Sequence, residues 1–169
     1  SVNGTDVGVE FTGTNQAPDF LNVTGGTYTN ISSQAVDVSA DVNLANNPGD
    51  GVNVDDVTVD NSLGASAVTV GADAVNLNLT ASTFVDVDKG LEITDTDAVP
   101  NGQINVLETT ITNASTGFDI TDLAAAGNVT ANFNTIEDGG TAVNVNDGNA
   151  FVVLTFNDIL NNQGTAVNV

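Results

Sequence analysis

The chain writes one phrase about six times, and this repetition constrains its fold more than any other feature. The phrase is an apolar residue, two steps to an Asn or Asp, a short polar turn, then apolar, polar, apolar. It stands at 27–38 as TYTNISSQAVDV, at 57–70 as VTVDNSLGASAVTV and at 82–93 as STFVDVDKGLEI. It returns at 109–120 as TTITNASTGFDI, at 134–145 as NTIEDGGTAVNV and from Asn157 to Val169 as NDILNNQGTAVNV. A period of this size marks a stacked-repeat architecture, because one copy cannot bury its own apolar face. The anchors Asn30, Asn61, Asp86, Asn113, Asp138 and Asn161 lie 31, 25, 27, 25 and 23 residues apart.

Aligned on these anchors, the copies form apolar columns. Two positions before the anchor stand Tyr28, Val59, Phe84, Ile111, Ile136 and Ile159. Five before those stand Val23, Val54, Leu79, Val106, Ala131 and Leu154, and two further back Leu21, Val52, Leu77, Ile104, Val129 and Val152. After the anchor come Val36/Val38, Val68/Val70, Leu91/Ile93, Phe118/Ile120, Val143/Val145 and Val167/Val169. An i, i+2 apolar pattern gives a strand with one buried face. Three such strands per copy, broken by Gly, Asn, Asp and Ser, predict a triangular coil. The fold class expected is therefore all-β, a parallel β-helix of about six three-strand coils within a single domain, 1–169. Asn and Asp at the anchors suit left-handed backbone at a sharp corner, and stacking would align their side chains into a ladder. Asn3 reads as one further anchor.

These columns resemble the right-handed parallel β-helix of the pectate-lyase-like superfamily. The resemblance covers nearly all of residues 9–169 and speaks to fold far more than to function. Enzymes of that superfamily act on acidic polysaccharides, with calcium and a basic residue or with clustered Asp beside His, Arg and Lys. This chain has no Arg, no His and one Lys, Lys89. The adjacent pair Asp55–Asp56 lacks that basic company, and a polyanionic substrate would be repelled. No catalytic residues are expected. A non-enzymatic surface or adhesin-like member is the leading expectation; a carbohydrate-binding or carbohydrate-active domain is the alternative.

The net charge of −21 excludes nucleic acid, whose phosphates need Lys and Arg. It likewise excludes anionic membrane surfaces, and no apolar run is long enough to span a bilayer. With Cys and His absent, soft-metal sites are excluded. Hard cations remain, and Ca2+ is the cofactor considered, with Asp95 and Asp97 in one loop and Asp41 and Asp50 in another as candidate ligands. Stacked carboxylates such as Glu10/Asp37 and Glu92/Asp119 are expected to repel, so salt should stabilise the fold. Acidity of this degree points to an extracellular or cell-surface location, with surface glycans as conceivable partners. Val167 and Val169 read as a full-strength core strand, and Ser1–Phe11 starts within a coil. Both ends are therefore expected to be open and to meet more protein, either another copy stacked end to end or a continuation of the same helix.

Overall fold

The computed structural model describes residues 1–10, 20–38, 51–71, 76–94, 103–121, 128–146 and 151–169. A partial coil opens the chain with β1 (Val2–Asn3) and β2 (Val7–Glu10). Two coils follow, β3 (Phe20–Thr24), β4 (Thr27–Thr29), β5 (Gln34–Val38), then β6 (Gly51–Asp55) and β7 (Thr58–Val70). The third is β8 (Leu77–Thr80) and β9 (Thr83–Ile93). The fourth and fifth are β10 (Gln103–Leu107), β11 (Thr110–Thr112), β12 (Thr116–Ile120), then β13 (Asn128–Asn132), β14 (Thr135–Glu137), β15 (Thr141–Val145). The last is β16 (Phe151–Thr155), β17 (Asp158–Leu160) and β18 (Val167–Asn168).

Every pairing is parallel and joins each strand to its equivalent one coil away. The first face is the six-stranded sheet β3-β6-β8-β10-β13-β16, so its six layers are separated by five helical steps. The second face stacks β1-β4-β7-β9-β11-β14-β17, and the third stacks β2-β5-β7-β9-β12-β15-β18. β7 and β9 run through the corner without a break and so fuse the second and third faces into one twelve-stranded sheet. The fold is a parallel β-helix, and its register is the one the apolar columns imply. Tyr28, Val59, Phe84, Ile111, Ile136 and Ile159 pair in succession, as do Leu21, Val52, Leu77, Ile104, Val129 and Val152. The columns Val23 to Ala131 and Val36 to Val143 fill the interior with buried side chains. A one-residue slip would turn each column outward, so burial itself fixes the register.

Outward side chains form columns too. On the first face Asn105 donates to Asn78, Asn78 to Asn53 and Asn53 to Asn22, each amide N–H reaching the preceding amide oxygen over 2.9–3.1 Å.

Candidate functional site: the corner ladder and its groove

The six anchors sit at the corner between the second and third faces. Asn30, Asn61, Asp86, Asn113, Asp138 and Asn161 all have φ between 50° and 57°. In the opening partial coil that left-handed position belongs to Gly4, with φ 69°, and Asn3 pairs with Thr29. Asn3 is thus one residue short of the anchor place expected for it. Its side chain still joins the stack: Asn30 Nδ2 donates to Asn3 Oδ1 at 2.9 Å, and Asn61 Nδ2 donates to Asn30 Oδ1 at 2.7 Å. Asn113 Nδ2 donates to Asp86 Oδ1 at 2.5 Å. The ladder has a direction, each amide giving its N–H to the coil before it. An ionised carboxylate has no hydrogen to give, so the line of donors stops at Asp86 and again at Asp138.

Next to two of the anchors, Asn61 and Asn161, a polar side chain ties the coils together. Ser62 Oγ accepts from the Ile31 N–H, and Asn162 Oδ1 accepts from the Gly139 N–H while its amide donates to the Ile136 carbonyl. The corner between the first and second faces repeats this arrangement, and none of the apolar columns marks it. Its left-handed residues are Gly25, Asp56, Ala81, Glu108, Phe133 and Phe156, with φ from 48° to 65°. Behind them lies a column that turns polar along the chain: Val57, Ser82, Thr109, Asn134 and Asn157. Ser82 Oγ accepts from the Val57 N–H, Asn134 Oδ1 from the Thr109 N–H and Asn157 Oδ1 from the Asn134 N–H. Phe133 and Phe156 point outward, 57% and 74% exposed, with ring centroids 5.1 Å apart and planes 12° from parallel. The ring spacing is close to one coil step, so the helix itself stacks them.

The anchor corner varies in width, and that variation carves a groove. From anchor to the next strand column is five residues at Asn61–Ser66, three at Asp86–Lys89, Asn113–Thr116 and Asp138–Thr141, and four at Asn161–Thr165. The wide corners stand out and the three tight ones between them recede. The hollow holds about 410 Å³ and is lined by Leu63, Val87, Asn113, Ala114, Ser115, Asp138, Gly139, Gly140 and Gln163. Leu63, at the bulge in β7, is 65% exposed and forms one end. Gly139 allows the tight floor, since a Cβ there would lie 2.4 Å from the Ala114 carbonyl oxygen.

On the third face, the outward column runs Glu10, Asp37, Thr69, Glu92, Asp119, Asn144 and Asn168. The repulsion expected between Glu92 and Asp119 is corrected by Lys89. Its Nζ lies 2.5 Å from Glu92 Oε1 and 2.8 Å from Asp119 Oδ2, so the chain's one lysine bridges the two carboxylates. Ser66 donates to Glu92 Oε2 and Asn144 donates to Asp119 Oδ1. Burial works to lower the Lys89 pKa, but hydrogen bonds to Asp119 and Glu92, with their charges, raise it above its ordinary value. The buried Thr69 hydroxyl in this column has no hydrogen-bond partner among the described residues.

The candidate calcium ligands Asp41, Asp50, Asp95 and Asp97 lie outside the described residues. Among the described residues no group of three or more acidic side chains is gathered as a metal site. Val167 and Val169 lie on the last coil, 42% and 94% exposed, and Val167 pairs with Val143. Fold and corners together define a parallel β-helical solenoid. Comparison with protein-family models, with curated proteins and with solved structures finds no match.

Proposed function

We propose that this chain is a structural or adhesive module of an acidic extracellular or cell-surface β-helical protein. Kinship with the pectate-lyase-like superfamily in fold, without its enzymatic chemistry, is part of that proposal. The observation that carries it is the uncovered last coil. Val129, Ala131, Ile136 and Val143 are buried, whereas Val152, Leu154 and Ile159, one coil on in the same columns, are only partly buried. Among the described residues, β16, β17 and β18 each pair on one side. Apolar columns that end at unpaired strand edges form a template for further β-structure. A second copy stacked end to end, or more of the same helix, supplies that cover, and the polar faces remain free for surface glycans.

Light scattering and electron microscopy of the 169-residue polypeptide test this reading. Particles should lengthen with concentration at constant thickness. The double variant Val167→Asp/Val169→Asp, altered only at exposed positions, should stay monomeric with the same circular dichroism. A wild-type chain that remains a monodisperse monomer at every concentration overturns it.

A further inference from the structure

We propose that the exposed stack of Phe133 and Phe156, with Glu108 beside it, docks an arginine side chain of a basic partner protein. Two observations mark the pair as placed for something outside the fold. Both residues stand in left-handed backbone, φ 56° and 55°, at a corner position that Gly25 and Asp56 fill in earlier coils. A bulky side chain is an outlier there, crowded by its own Cβ, and strain of this kind collects at functional sites. Nor does burial offset the strain, since the side chains are 57% and 74% exposed. Asn would suit the backbone better, and the anchor corner has it at Asn30, Asn61, Asn113 and Asn161.

The arrangement selects the partner. The rings lie 5.1 Å apart and 12° from parallel, so each holds the other's plane. Phe156 covers one face of Phe133, yet Phe133 stays more than half exposed, so its side toward the preceding coil is open. There the same corner position holds Glu108, also exposed, and one coil further back the small Ala81. An aromatic face beside a carboxylate suits a guanidinium. That group is planar, stacks on rings and pairs with a carboxylate through two parallel N–H donors. A lysine ammonium is a hydrated point charge and gains less from the ring. A second copy of this chain cannot supply the group, because the sequence has no Arg and its one Lys is held by Glu92 and Asp119. The occupant is therefore a different and basic protein, drawn in by the net charge of −21.

The test is fluorescence anisotropy of the 169-residue protein in physiological salt, with labelled Gly-Arg-Gly-Arg-Gly and Gly-Lys-Gly-Lys-Gly peptides as probes. The arginine peptide should bind about tenfold more tightly than the lysine peptide. Phe133→Asn changes no charge and relieves the left-handed backbone, so the protein should melt no lower while affinity for the arginine peptide falls about fivefold. Glu108→Gln should weaken the same peptide, whereas Asp86→Asn, an equal change of charge at the anchor corner, should alter affinity less than about twofold. Equal binding of the two peptides, or a Phe133→Asn chain that binds as the wild type does, would mean diffuse attraction to an acidic surface and overturn the proposal. A lower melting temperature for Phe133→Asn would give the stack a purely structural reason and overturn it as well. So would a neutral disaccharide that displaces the arginine peptide.

Discussion

Two single residues carry local tensions that experiment can read. Lys89 is held by Glu92 and Asp119, and its pKa lies above 10.5 in the folded chain. A base whose pKa rises on folding adds stability that is complete below its unfolded pKa and is lost as pH climbs through the folded value. Burial raises the Tyr28 hydroxyl above 10.0, which removes stability in the same direction. Urea midpoints should therefore hold through neutral pH and drop in strongly alkaline solution. Lys89→Met should cost about 2 kcal/mol at pH 7, the worth of a charge-assisted hydrogen bond, and make the alkaline drop shallower. Ala81 carries the opposite opportunity. It is exposed at φ 48°, where a Cβ crowds the next carbonyl at a cost of about 1–2 kcal/mol. Asn tolerates that geometry, so Ala81→Asn should raise the melting temperature by about 2–4 °C in scanning calorimetry.

Elements were legible where they obey a period of two. The columns through Phe84, Ile111 and Ile136 announce strands whose pairing the structure repeats residue for residue. The corner through Gly25, Asp56, Ala81, Glu108, Phe133 and Phe156 escaped, because five residue types share its left-handed position over six coils. One signal was present in the spacing. Val54 and Val59 both face inward yet lie five apart, and an odd interval cannot keep one face along a continuous strand. A turn has to absorb the extra residue. The polar column behind that corner was hidden for a related reason, since Ser82, Thr109 and Asn134 read as ordinary loop residues. Burial makes them structural. Asn134 accepts from the Thr109 N–H and donates to the Val106 carbonyl and to Asn157 Oδ1. Asn134→Leu should destabilise by about 2–3 kcal/mol, because it leaves a buried N–H without a partner. Asn105→Ala, in the exposed amide ladder of the first face, should cost less than about 0.5 kcal/mol. Chemical denaturation of the two variants side by side decides whether buried corners or surface ladders hold the coils together. The groove was illegible for the same reason as the corner, since it arises from unequal turn lengths that no residue type marks.

For the whole molecule, charge and the open last coil act against each other. Twenty-two acidic residues face a single Lys, and only Asp147 and Asp158 lie beyond Asp138. The charge is thus carried mostly by the earlier coils, while Phe156, Leu160, Val167 and Val169 are exposed on the last. Self-repulsion weakens the compact state and keeps copies apart. The screening length falls from about 10 Å at 0.1 M salt to about 3 Å at 1 M. Adding sodium chloride should therefore raise the melting temperature and strengthen association at the apolar, charge-poor end. Screening by a diffuse ion cloud depends on ionic strength, so sodium and potassium should act alike and without saturation. A discrete calcium site would instead saturate at millimolar calcium against a constant background of salt. Scanning calorimetry and sedimentation across both series separate these outcomes. A melting temperature and sedimentation coefficient that ignore sodium chloride from 0.1 to about 1 M would show that the charge is already neutralised within the fold.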